Sequence, residues 1–276
     1  MKKMIALIDH IKQKPLNLSI ESNIHRDGTM FSYLSYHNDR IYGRYFEATL
    51  NIKNKWIILY HGLGAHTNTE GYLTFVSWWN AQGYDVIGMD VRHQGGLTKG
   101  FPEPNPKGLY LSGIENFENY YYTAIYIDAY RLVDVAYQIK QQAIIANGGS
   151  QGGTLSLFVG ATHPKINLIL ADMPSNIDIK TLINHSTGGY KAFLDFKIIP
   201  PNWLFEEIDL MSYVKEIKKP VLMASGSDDT VCPISTAEHF FESLDCKKSF
   251  MRYDHYGHGG YDIQHFLEKI KFIKTH

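Results

Sequence analysis

Hydrophobic and polar positions along the chain alternate between short apolar runs and longer helical stretches. Residues 1 to about 28 are polar and weakly patterned, which predicts a short helix followed by a loop. Phe31 to His37 and Ile41 to Thr49 alternate and carry aromatics. Asn38-Asp39 lies between them, so the pair predicts a β-hairpin. Trp56 to Tyr60 is almost wholly apolar and reads as a buried strand ending at His61-Gly62-Leu63-Gly64. Tyr72 to Ala81 reads as a helix stopped by Gly83, and Asp85 to Asp90 holds the next strand. A Gly- and Pro-rich loop follows, from about Gly95 to Gly113.

Further along, Phe117 to Gln141 shows helical spacing, Ala143 to Ala146 a short strand and Thr154 to Ala161 a helix. Ile166 to Ala171 and Val221 to Ser225 read as strands. Ser175 to Leu210 between them is irregular and contains Pro200-Pro201; it predicts a cap or lid insertion at about 175–210 in a single domain of residues 1–276. Ser235 to Leu244 reads as a helix, Lys248 to Tyr253 as a strand and Ile263 to Lys274 as the last helix. Continuous apolar strands alternating with helices predict an α/β fold. Its sheet is mostly parallel and covered on both faces. In such sheets the reactive groups sit in loops at the carboxyl ends of strands.

Bulk properties narrow the function by exclusion. A formal net charge of −1 gives no electrostatic reason to expect nucleic acid or an anionic membrane as partner. No apolar stretch is long enough for a membrane helix, and the apolar run after Lys3 is too short for a signal peptide. The two cysteines, Cys232 and Cys246, suggest neither a disulfide framework nor a zinc site, and both read as reduced. A cytoplasmic protein without metal or organic cofactor is the expectation. The histidines His61, His66, His255 and His258 lack a metal-ligand spacing.

One motif carries chemistry. Gly148-Gly149-Ser150-Gln151-Gly152 fits G-x-S-x-G, with an apolar strand before it and a helix after it. That context is a nucleophile elbow, in which Ser150 sits on a tight turn and the small residues make room. This predicts the α/β-hydrolase fold, in which the serine is followed in chain order by an acid and then a histidine. The strand Val221 to Ser225 runs into Asp228-Asp229, and both acids qualify by position. Asp172, after the preceding strand, is the outsider, with a loop-capping role instead. Tyr256-Gly257-His258-Gly259-Gly260 follows the last strand, and its small residues favour His258 over His255 as the base. The loop at His61-Gly62 supplies one oxyanion donor and the residue after the nucleophile the other, which gives the N–H groups of Leu63 and Gln151.

Five stretches together resemble the acetyl xylan esterase / cephalosporin C deacetylase family. They are His61-Gly62; Gly88-Met89-Asp90-Val91-Arg92-His93-Gln94; Tyr120-Tyr121-Tyr122 with Tyr126-Ile127-Asp128-Ala129 and Arg131; Gly148 to Gly153; and Asp229-Thr230-Val231-Cys232-Pro233 through Tyr256-Gly257-His258. The resemblance runs from about Phe31 to the C-terminus. It selects Asp229 over Asp228 as the triad acid, and it implies Arg92 and Gln94 as supports of the site. It also implies acetyl or other short acyl groups on sugars or similar alcohols as the small-molecule substrate, and it allows a homo-oligomer, since family members form hexamers. This sequence departs from the family pattern at Leu63, where an aromatic is usual, at His93 in place of glycine, and at Gly259 in place of glutamate. Its segment before Phe31 is shorter than the family's usual extension. Two other readings stand beside the esterase: a different hydrolase on the same scaffold (peptidase, lactonase, lipase or general carboxylesterase), and a non-enzymatic hydrolase-like binding protein.

Overall fold

A computed structural model describes residues 2–21, 28–50 and 52–276. The chain opens with helix α1 (Lys3–Ile11), whose Met4, Ile8 and Ile11 form one buried stripe. The predicted loop after it is described as far as residue 21; residues 22–27 lie outside the described residues. A two-residue strand, β1 (Ser19–Ile20), is an addition to the sequence-based expectation, too short to leave a periodic signal. The hairpin forms as β2 (Thr29–Leu34) and β3 (Arg40–Phe46).

Next come β4 (Lys55–Tyr60), α2 (Glu70–Ala81) and β5 (Asp85–Met89). Helix α3 (Tyr121–Ile139) begins four residues after Phe117. The residues between form a turn in which Tyr120 N–H donates to Phe117 C=O at 3.2 Å, and the Thr123 hydroxyl caps Phe117 C=O at 2.7 Å. Then follow β6 (Ala143–Gly149), α4 (Gln151–Thr162) and β7 (Ile166–Asp172).

Residues 175–210 are more ordered than the irregular pattern suggests. They hold α5 (Ile179–His185) and α6 (Ala192–Asp195), then a helical turn at Leu204–Ile208. Ile179, Leu182 and Ile183 are buried at i, i+3 and i+4, a stripe too brief to stand out in sequence. The chain closes with β8 (Val221–Gly226), α7 (Ile234–Ser243), β9 (Lys248–Tyr253) and α8 (Asp262–Thr275).

The described strands form one nine-stranded sheet in the order β1-β2-β3-β5-β4-β6-β7-β8-β9. The first four are joined antiparallel, and β5 through β9 are parallel. Side chains on β4 alternate between the two faces. Trp56, Ile58 and Tyr60 join a core with α1, α3, α4 and α7, while Ile57 and Leu59 join another with α2 and α8. The chain goes from β4 to β5 on one side and then returns to place β6 on the other. That reversal opens a crevice at the carboxyl ends of β4 and β6, where His61 and Ser150 stand. Among the described residues no helix is long and apolar enough to cross a membrane.

Candidate active site

Strand β6 delivers Ser150 onto the turn before α4 with φ 55° and ψ −120°. A side chain is strained in that conformation, and the turn persists because its neighbours leave no alternative. A β-carbon on Gly152 would stand 2.1 Å from Tyr60 O, and one on Gly148 would stand 2.5 Å from Gly152 C. Both positions therefore require glycine. Ser150 N–H is tied to Asp172 C=O at 2.9 Å, which fixes the elbow to the end of β7. The side chain opens into a cavity of about 680 Å³ that is also lined by His258, Cys232, Met173 and Tyr190.

His258 lies on the loop after β9, with its side chain 27% exposed. Its Nδ1 is 2.7 Å from Asp229 Oδ2. Asp229 is buried on the loop after β8, and its other oxygen accepts the N–H groups of Val231 and Cys232, both at 2.8 Å. Asp228 is exposed and takes the Ser227 hydroxyl at 2.6 Å. His255 is also exposed and does not line this cavity. Among the described residues no hydrogen bond joins Ser150 Oγ to the His258 ring. Hydroxyl–imidazole bonds of this kind often tighten only around substrate. Cys232 is buried in the same cavity; burial, reinforced by the Asp229 charge, pushes its thiol pKa well up, so it stays protonated.

The loop after β4 crosses beside Ser150. A β-carbon on Gly62 would stand 3.9 Å from Ser150 Cβ, and Leu63 follows directly. Gln151 is the first residue of α4, so its N–H belongs to the first-turn groups that have no intrahelical acceptor. His61 braces the loop from within. Val91 N–H donates to its Nε2 at 3.0 Å, which leaves the proton on Nδ1 to donate to Gly62 C=O at 2.8 Å. Burial lowers the His61 pKa, consistent with this neutral ring. Gln94 adds a second brace. Its Oε1 accepts Gly64 N–H at 2.9 Å, and its Nε2 donates to Gln151 Oε1 at 2.8 Å and to Tyr121 Oη at 2.7 Å.

The family model for acetyl xylan esterase matches residues 27–276. The chain belongs to that family. An acetyl esterase of Xylanibacter ruminicola is 27% identical over 147 residues, which is 51% of this chain and 33% of that protein. The chain thus spans about a third of the length of this curated relative. An acetyl xylan esterase from Paenibacillus sp. R4 superposes with a TM-score of 0.82 at 25% identity, covering 100% of this chain and 95% of that one. Acetyl xylan esterase 1 from Thermoanaerobacterium sp. JW/SL YS485 gives 0.84 at 22% identity, covering 98% and 92%, and shows the shared fold.

Within this acetyl xylan esterase family member, Arg92 stands apart from the cavity. It is fully buried and forms a two-pronged pair with Asp128, Nε to Oδ2 at 2.6 Å and Nη2 to Oδ1 at 2.9 Å. It also pairs with Asp39 and donates to the Phe101 and Tyr36 carbonyls. Arg92 is linked to the site through its own carbonyl, which accepts the Tyr121 hydroxyl at 2.7 Å. Sequence reasoning passed over Lys269, His265 and Asn147, which gather around Asp172 at the edge of the cavity. The signal was present on α8: Lys269 falls on the same stripe as Phe266, Ile270 and Ile273, where a charge is out of place. No cluster of His, Cys, Asp or Glu able to hold a metal occurs among the described residues.

Proposed function

We propose that the protein is a serine esterase. It hydrolyses acetyl and other short-chain esters of sugars and related alcohols through an acyl-enzyme intermediate. One observation carries this reading: Ser150 on its strained elbow and His258, bonded to buried Asp229, open into the same cavity.

Ser150 Oγ attacks the ester carbonyl while His258 Nε2 takes its proton. Asp229 holds the imidazole with its proton on Nδ1 and stabilises the imidazolium that forms. The N–H groups of Leu63 and Gln151 receive the oxyanion, each worth about 3 kcal/mol to the transition state. His258 then protonates the departing alcohol, and water releases the acyl group by the reverse steps. Gln94 and His61 hold the oxyanion loop in register, and Arg92 braces the scaffold behind them. In the same reading residues 1–276 are one domain and 175–210 its cap, since Leu182, Ser186 and Tyr190 from that segment face the cavity. A cytoplasmic location belongs to it as well, resting on the free thiols of Cys232 and Cys246.

The test is hydrolysis of p-nitrophenyl acetate against p-nitrophenyl octanoate in wild type and Ser150→Ala. A strong preference for acetate, abolished by the substitution, is the expected result. Activity that survives the substitution, or none in folded wild type, refutes the assignment.

A further inference from the structure

The cavity continues past Ser150 on the sheet face covered by α2 and α8. There its walls are chemically unlike. Leu59, Tyr72 and Phe75 form an apolar side, and Asn147, Asp172 and Lys269 a polar one. Strand alternation explains the polar side. Asn147 shares a face with Ile145 on β6, and Asp172 shares one with Leu168 and Leu170 on β7, at the carboxyl ends of both strands.

Lys269 reaches this wall from α8 and is 5% exposed. Its ammonium donates to Asn147 Oδ1 at 2.9 Å and pairs with Asp172 Oδ2. His265, one turn earlier, holds Asp172 Oδ1 at 2.8 Å and is itself held by the Tyr253 hydroxyl at 3.0 Å. An ammonium has three N–H donors. Two are used here, and the third has no protein partner among the described residues. A buried ion pair is by itself weak evidence of a purely structural role, because apolar residues of similar volume often replace one at no loss. The cluster is also coupled to the nucleophile, since Ser150 N–H bonds the Asp172 carbonyl.

The charge balance narrows the ligand. Burial pushes Asp172 up, but Lys269 and His265 outweigh it and hold its carboxyl at about 2, so it is ionised at neutral pH. Lys269 and Asp172 then offer a spare donor and spare lone pairs with no net charge. A carboxylate ligand would meet Asp172, and an amine would meet Lys269. A hydroxyl satisfies both, accepting from the ammonium and donating to the carboxylate.

We propose that Lys269 and Asp172 form a hydroxyl-recognition subsite for the alcohol half of the substrate. It favours acetyl esters of polyols and sugars that keep a free hydroxyl near the acetylated oxygen. This rests on the esterase reading, and the experiment separates the two. The value of kcat/KM is measured for a monoacetylated methyl xyloside and for p-nitrophenyl acetate, which has no hydroxyl on its alcohol half, in wild type and Lys269→Met. The subsite predicts that the ratio of the first to the second falls at least about tenfold, chiefly through KM, the scale of one lost charged hydrogen bond. An unchanged ratio, or an equal loss on both esters, overturns it. Saturation-transfer NMR of methyl xyloside on wild type and Lys269→Met reads the subsite without catalysis. It covers the case in which wild type hydrolyses neither ester and the esterase reading itself fails. Saturation transfer to the sugar in wild type that disappears in the variant supports the subsite, and no transfer in wild type refutes it. Should Lys269→Met fail to fold, Lys269→Gln serves, with the same two outcomes.

Discussion

Gln94 and Gln151 bond each other through both side-chain amides, Nε2 of Gln94 to Oε1 of Gln151 at 2.8 Å and Nε2 of Gln151 to Oε1 of Gln94 at 3.2 Å. Gln94 also holds Gly64 N–H, so the loop beside Leu63 and the start of α4 are set by one side chain. The spacing of the two proposed oxyanion donors depends on this pair.

Gln94→Leu leaves Gly64 N–H and the Gln151 amide without their partner. We expect kcat for p-nitrophenyl acetate to fall roughly a hundredfold, the scale of one oxyanion donor, with KM changed much less. A KM effect with kcat intact would count against a positioning role.

The two adjacent acids separate cleanly by substitution. Asp229→Asn keeps the shape but favours the wrong His258 tautomer, and kcat should drop on the order of ten-thousand-fold. Asp228→Asn, at an exposed carboxyl, should stay within about twofold of wild type, since surface changes rarely matter. Steady-state kinetics on both variants checks the assignment.

Arg92 should matter to stability. Asp128→Ala removes the two-pronged partner of a fully buried guanidinium, and loss of one member of a buried pair costs about 3–5 kcal/mol. Urea unfolding of the variant should show a midpoint lowered accordingly. An unshifted midpoint would mean that Asp39 and the Phe101 and Tyr36 carbonyls suffice.

Acid should act through Asp172. Its carboxyl titrates at about 2 when folded, against an ordinary value near 4 when unfolded. The unfolded state therefore binds the proton first. The stabilisation, about 2–3 kcal/mol for two pKa units, is complete above pH 4 and is lost as pH falls from 4 towards 2. Urea midpoints measured across that range should fall more steeply in wild type than in Asp172→Asn.

His93 adopts φ 60°, a left-handed conformation that glycine reaches without strain, and its ring bonds Gly100 C=O at 2.5 Å. His93→Gly relieves roughly 1 kcal/mol of strain while losing a bond of similar worth. Thermal unfolding should shift by only a few degrees. A large destabilisation would show that the ring bond dominates.

The alternation of apolar strands with helices was enough to read the parallel sheet, because burial on both faces demands continuous apolar runs. The elbow was legible for a related reason: Gly148 and Gly152 are positions that contact geometry forbids to any larger residue. Residues 175–210 were not, since a stripe as short as Ile179, Leu182 and Ile183 gives little period to detect. What sequence could not order was everything set by contact between distant segments. Asp228 and Asp229 are neighbours in the chain, and only the packing of the loops after β8 and β9 turns one towards His258 and the other to solvent. Lys269 meets Asn147 and Asp172 across 122 and 97 residues. Local pattern records which side chains must be buried, whereas the partner of a buried charge is decided by which strand ends the helices are folded against.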